Sequence, residues 1–231
     1  MNNLNAQFFE DGKYLKEISE QFAELSQNRT YQYYDLQAGN RRLTIKQMAT
    51  NPFHQDRWRM CISPPDEQLF KGASVLEIGG AEGFYCLKSS LLGAETVTML
   101  ELNDKRCACA QLIFEFFNID NISIYQKTLQ ELTPKELGEY DISLLMRIVH
   151  YWFVPYHQTY GTGGVDTETG KYLLNLILEH TKKLCVINSD KECVEEIPSY
   201  VNDKNLRFNF GEFKHSDRNY EKFMGCLKIW K

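Results

Sequence analysis

The sequence predicts an α/β protein built on a mostly parallel sheet, and three observations carry that expectation. Short apolar runs alternate with helix-length segments from about residue 70 to the last residues. The first run, Ser74–Ile78, breaks into a glycine-rich turn, Gly79-Gly80-Ala81-Glu82-Gly83, which feeds a helix-like segment. The second run, Thr96–Leu100, ends in an acid, Glu101, 18 residues beyond Gly83. A buried parallel strand that turns sharply beneath a ligand and enters a helix needs this order. Glycines let the backbone approach the ligand, and a helix N-terminus offers unpaired N–H groups. An acid after the next strand can accept hydrogen bonds from two adjacent ribose hydroxyls. The three features together point to a nucleoside-bearing ligand.

Each element follows from local pattern. Leu15, Ile18, Phe22 and Leu25 recur at 3, 4 and 3 residues, the apolar face of a helix near 11–27 that covers part of the core or the ligand cleft. Residues 30–65 are rich in aromatics and arginine and read as one or two further helices. The chain therefore divides into a helical N-terminal cap over 1–65 and a core over 66–231. In the core, strand Ser74–Ile78 precedes helix Phe84–Leu92, stopped by Gly93. Strand Thr96–Leu100 precedes a helix from about Asp104, as N-cap, to Phe117. Strand Ile122–Gln126 follows, then a short helix opened by Thr133-Pro134 and ending at Leu137. Next come strand Ile142–Met146, a long loop over 153–170, helix Lys171–Thr181 and strand Leu184–Asn188. The final strands, Leu206–Phe213 and Phe223–Trp230, are joined by a polar segment over 214–222.

Composition narrows the function classes. With 231 residues, 43% hydrophobic and 25% charged, the chain fits one soluble globular domain with a substantial core. No apolar run approaches the roughly 20 residues of a membrane span, and the N-terminus lacks the pattern of a secretory signal. Seven cysteines without CxxC pairs suggest neither a disulfide framework nor a zinc site, so a reduced cytoplasmic setting is expected. The five histidines, His54, His150, His157, His180 and His215, show no ligand spacing, and no metal is expected. A net charge of −5 disfavours a broad nucleic-acid footprint. The basic concentration at Arg41-Arg42, Lys46 and Arg57-Trp58-Arg59 reads as solvated surface.

The glycine register selects among cofactors. A dinucleotide fingerprint needs glycine at the first, third and sixth places. Counted from Gly79, those places hold glycine, Ala81 and Phe84, so the fingerprint fails. Read as acid-x-Gly-x-Gly-x-Gly, the segment gives Glu77, Gly79, Ala81 and Gly83, with one departure. That pattern resembles motif I of the class I S-adenosylmethionine-dependent methyltransferases. Glu101 matches the family's ribose-binding acid. Tyr140-Asp141 through His150-Tyr151 looks like its fourth-strand segment. The resemblance covers about two thirds of the chain, from Phe70 onward. It implies a Rossmann-like, seven-stranded, mostly parallel sheet closed by a C-terminal antiparallel hairpin, with S-adenosyl-L-methionine as cofactor and S-adenosyl-L-homocysteine as product.

Carried over residue by residue, the resemblance implies that Glu77, Gly79, Gly80 and Gly83 line the methionine and ribose part of the cofactor. Glu101 holds the ribose hydroxyls, with Leu102 against the adenine. The loop after the third strand, Thr128-Leu129, stands where many members place an acid facing the adenine amino group. Methyl transfer asks for an aligned nucleophile and, for a hydroxyl or protonated amine, a base. His150, beyond the fourth strand, is the candidate, its pKa range suiting proton transfer; a histidine that only shapes the pocket is the alternative. Arg147 is a candidate for a cofactor carboxylate or an anionic acceptor, or for pairing with Glu77 or another acid. Tyr151, Trp152 and Tyr156, with Trp58 from the cap, are candidate acceptor-binding aromatics, and the 153–170 loop is a candidate lid. The expected activity is methyl transfer to a small molecule. Asp56-Arg57-Trp58, with the glycine motif and His150-Tyr151, is loosely similar to the tRNA wobble-uridine-modifying branch, which makes tRNA the alternative partner. A non-catalytic cofactor-fold subunit is a third reading.

Overall fold

A computed structural model of the chain describes residues 13–21, 24, 34–45, 53–153, 166–217 and 220–231. The N-terminal part holds a helix over 13–21 (α1), strands β1 (Tyr34–Ala38) and β2 (Arg41–Ile45), then α2 (Phe53–Cys61) and α3 (Pro64–Glu67). The core follows as β3 (Ser74–Ile78), α4 (Phe84–Leu91), β4 (Thr96–Leu100), α5 (Asp104–Phe116), β5 (Ile122–Tyr125), α6 (Pro134–Leu137) and β6 (Tyr140–Met146). It continues with α7 (His150–Phe153), α8 (Thr167–Glu179), β7 (Thr181–Asp190), α9 (Lys191–Tyr200), β8 (Arg207–Asp217) and β9 (Tyr220–Trp230). The sheet has seven strands in the order β5-β4-β3-β6-β7-β9-β8. β3 to β7 are parallel, and β9 pairs antiparallel with both β7 and β8.

Alternation along the strands divides the interior into two faces. Val75, Val97, Ile142, Leu144, Leu184 and Val186 face one core, covered by α4, α5 and the N-terminal elements. Leu76, Ile78, Leu145, Cys185, Ile187 and Leu227 face the other, covered by α7, α8 and α9. Near-continuous apolar strands, buried on both sides, are what a sheet covered by helices on both faces requires. Ile18, Leu36, Leu43 and Trp58 belong to the first of these cores, so the N-terminal segment packs into the sheet's own interior.

Several boundaries differ from the sequence reading, for identifiable reasons. Residues 34–45 form an antiparallel hairpin turning at Gly39 (φ +58), where only helices were expected in 30–65. The cap of α5 is Asn103, whose side chain accepts from the Arg106 N–H at 3.0 Å, rather than Asp104. Helix α8 begins four residues before Lys171 because Asp166 caps it, accepting from the Thr169 N–H at 2.9 Å. Helix α9 was not anticipated: Pro198 argues against a helix, yet Cys193, Val194 and Ile197 form its buried stripe. The terminal strands also run through the polar segment, to Asp217 and again from Tyr220.

Candidate functional site

The chain goes from β3 outward to β4 and β5, then returns to place β6 on the other side of β3. Strand order therefore reverses between β3 and β6, and ligands of open parallel sheets bind at such a switch point, beyond the carboxyl ends of the strands. The glycine turn, Glu101, Arg147, His150 and Asp190 all lie at those ends.

The turn between β3 and α4 takes left-handed backbone at Gly79 (φ +71), Ala81 (φ +49) and Gly83 (φ +79). Those are the three glycine places of the acid-x-Gly-x-Gly-x-Gly pattern. Ala81 takes left-handed backbone with a side chain that disfavours it, at a cost of about 1 kcal/mol. A Cβ at Gly83 would lie 2.4 Å from the Phe114 ring, so glycine is what lets α4 start against α5. A Cβ at Gly80 would lie 2.6 Å from Met99 Cγ, which fixes the turn close over β4.

Glu101 is turned onto this loop. One carboxylate oxygen accepts the Ala81 N–H at 2.9 Å and the other accepts the Asn103 N–H at 2.9 Å. A carboxylate has about four lone-pair sites, so two stay available for hydroxyl donors. Leu102, next to it, is 60% exposed. Tyr125, at the end of β5, is also exposed. Glu24 also lies nearby, hydrogen-bonded to Lys105 at the start of α5.

Glu77 lies deeper. It is 1% exposed, beneath α4, where the Cys86 thiol donates to its Oε2 at 2.8 Å. Burial pushes its carboxyl up to about 8, against the Cys86 hydrogen bonds that pull it down. Glu82, fully buried in the turn, is pushed up to about 7 by burial, with Arg106 opposing from 3.7 Å. Thr128 is paired with Glu131: its hydroxyl donates to the Glu131 carboxylate at 2.8 Å and its N–H to the same oxygen at 2.6 Å. Leu129 is buried.

On the other side of the turn, Ile148 packs against Gly79, its Cδ1 3.1 Å from where a Cβ would stand. That contact brings the β6–α7 junction against the glycine turn. His150 opens α7, is 3% exposed, and lies 4.1 Å from the Tyr151 ring, centroid to centroid. Arg147 has φ +67 and its N–H donates to the Asn188 carbonyl at 2.8 Å. Its Nη1 donates to Asp190 Oδ1 at 2.6 Å, so the acid it pairs with is Asp190 and not Glu77. Asp190 went unnoticed in the sequence, although Asn188-Ser189-Asp190 ends an apolar run in an acid just as Leu100-Glu101 does.

The aromatic candidates are spread out. Tyr151 is half-buried beside His150, while Trp152 is buried in the second core, with its carbonyl against Gly170. Trp58 is 1% exposed, stacked over Tyr85 with ring centroids 6.2 Å apart, and its indole N–H donates to Glu67 Oε1 at 2.8 Å. It is placed in the core because α2 packs against the sheet. Tyr156 and most of the 153–170 loop lie outside the described residues. Arg57 is buried beside Tyr85, its Nη1 3.4 Å from the hydroxyl, so Arg57-Trp58 is interior rather than a basic surface. Among the described residues no group of three or more metal-ligating side chains is found, and no helix is long and apolar enough to cross a membrane.

No family model matches the chain, and no curated protein matches it. Its fold is similar to that of solved structures. One is the N-methyltransferase NodS from Bradyrhizobium japonicum WM9 in complex with S-adenosyl-L-homocysteine, with TM-score 0.60, 13% identity, and coverage of 79% of this chain and 89% of that one. Another is magnesium protoporphyrin IX methyltransferase (ChlM) from Synechocystis PCC 6803 with bound SAM, with TM-score 0.54, 14% identity, and coverage of 77% and 91%. A third, a Streptococcus mutans protein assigned as a SAM-dependent methyltransferase, has TM-score 0.55 and 13% identity; 72% of this chain aligns, spanning 47% of that protein. The architecture is that of the Rossmann-like methyltransferase fold, a seven-stranded sheet closed by an antiparallel hairpin.

Proposed function

We propose that the protein is an S-adenosylmethionine-dependent methyltransferase acting on an oxygen or nitrogen of a small-molecule acceptor. The observation that carries this reading is the clasp between Glu101 and the Ala81 N–H, with exposed Leu102 beside it. The donor set fits an adenosine: a carboxylate with free lone pairs for the ribose hydroxyls, an apolar side chain for the purine face, and a left-handed turn that lets backbone come close. Glu101, Leu102 and the 79–83 turn would hold the cofactor, whose bound form supplies an activated methyl group on a sulfonium. The fold shared with NodS and ChlM, which were solved with S-adenosyl-L-homocysteine and SAM, supports the same assignment.

The chain's own residues then have simple tasks. The acceptor lies over β6 and β7, where His150 takes the proton from the attacking hydroxyl or ammonium. Burial of His150 and Trp152 on α7 keeps that end of the sheet dry, which strengthens alignment over hydrolysis. The protein is incubated with methyl-labelled S-adenosylmethionine and a panel of small hydroxy and amino compounds, with bulk tRNA in a parallel tube. Label on a small molecule, lost by about a hundredfold in His150→Gln while S-adenosyl-L-homocysteine still binds, is the expected result. Label on tRNA alone would transfer the assignment to the RNA-directed branch, and label on neither, without cofactor binding, would leave a non-catalytic subunit.

A further inference from the structure

Arg147 carries more information than its place in a motif. It is a non-glycine residue held at φ +67, a conformation that costs about 1–2 kcal/mol for an L side chain. Its surroundings over-determine it. The backbone N–H is tied to Asn188, and Nη1 is tied to Asp190 at 2.6 Å and lies 3.8 Å from Met224 Sδ. Asp190 ends β7 and Met224 stands opposite it on β9. The guanidinium therefore lies over β7 and β9, on the far side of β6 from the glycine turn and two strands or more from Glu101. That placement takes it away from the cofactor and toward the acceptor.

The pairing with Asp190 uses one end of the fork. No described residue accepts from the Nε–Nη2 edge, and the side chain keeps 24% of its surface open. A guanidinium held at one end by a nearly buried carboxylate is a fixed, planar, two-donor surface, the shape that matches an oxyanion. Arg57 brings a second cation close by; burial lowers its pKa and the charge of Arg147 lowers it further. Two guanidinium groups at one end of the sheet raise the local positive potential in an otherwise acidic protein.

We propose that Arg147, aligned by Asp190, anchors an oxyanion on the methyl acceptor, so that the substrates of this enzyme are small molecules bearing a carboxylate or phosphate group. This rests on the methyltransferase reading of the site and adds to it the acceptor's chemical class. Of the two ligands that the sequence left open for Arg147, a cofactor carboxylate or an anionic acceptor, it selects the acceptor.

The test uses full-length protein and separate titrations of S-adenosyl-L-homocysteine, benzoate, inorganic phosphate and neutral benzamide, each by calorimetry. The proposal expects the wild type to bind benzoate or phosphate, whichever matches the acceptor's acid group, and to bind benzamide far more weakly. Arg147→Gln loses about tenfold or more of that anion affinity, Arg147→Lys loses less, and S-adenosyl-L-homocysteine affinity stays within about twofold in both. Melting curves on both variants show that each is folded, and the lysine variant, which retains the charge on Asp190, reads the fork if the glutamine variant unfolds. The proposal is overturned if the wild type binds neither anion, if neither substitution weakens anion binding, or if the loss falls on S-adenosyl-L-homocysteine instead. Failure of S-adenosyl-L-homocysteine to bind the wild type, with the anion effect intact, would sink the methyltransferase reading and leave an anion site.

Discussion

The two sides of the cleft are built differently. Beyond β3 and β4, apart from Ile148 against Gly79, the contacts described come from residues 77 to 114: the turn, its close fit on Met99 and Phe114, and the Glu101 clasp. Beyond β6 and β7, the groups come from four separated stretches, Arg147 to His150, Asn188 to Asp190, Met224 and Arg57. The first side is mostly backbone, shaped by where a Cβ is missing. The second is mostly side chain, shaped by ion pairing across strands. A backbone site suits a ligand that does not vary, and a side-chain site suits one that can be changed by substitution without touching the fold.

Glycine substitutions break this contrast most sharply. Gly83→Ala puts a Cβ into the Phe114 ring in left-handed backbone, and we expect a loss of about 3 kcal/mol in urea unfolding together with loss of S-adenosyl-L-homocysteine binding. Gly170→Ala on the opposite side meets the Trp152 carbonyl at 2.6 Å and pushes on α7. There a loss of about 2 kcal/mol should fall on methyl transfer through His150, leaving cofactor affinity within about twofold. Equal effects of the two on cofactor binding would erase the distinction between the sides.

A second effect is spread over pH. Glu77 and Glu82 have folded-state values of about 8 and about 7 against an ordinary 4.5, because both are buried. The native state then holds protons that the unfolded chain has released. Their contribution is full below about pH 4.5 and is lost as pH rises through 7 and 8. Glu77→Gln should flatten the fall in melting temperature between pH 5 and 9; a slope unchanged from wild type would place the titration elsewhere. Smallest of all, Ala81→Gly relieves the left-handed strain and should raise stability by about 1 kcal/mol without weakening the cofactor site.

The same contrast explains what the sequence disclosed. Ser74 to Glu101 was readable because its signals are local: an apolar run, glycines where φ is positive, and an acid at a fixed interval. The parallel strands and closing hairpin followed from the same patterning and the family resemblance. Asp190 as the partner of Arg147 was not readable, because 43 residues separate the two and only strand pairing brings them level. Trp58 was misleading for a related reason: an aromatic in an arginine-rich segment looks like surface until α2 is seen to face the sheet. The start of α8 was present in Asp166-Thr167-Glu168-Thr169, a capping signal obscured by the glycines before it and by Gly170 after.

If Glu101 grips a ribose beneath the 79–83 turn, titration of S-adenosyl-L-homocysteine into wild type and Glu101→Ala reads that grip. One-to-one binding to the wild type, weakened by about tenfold to a hundredfold in the variant, is what two hydroxyl hydrogen bonds to a carboxylate require. Equal affinities in the two proteins, or no heat with the folded wild type, would contradict it.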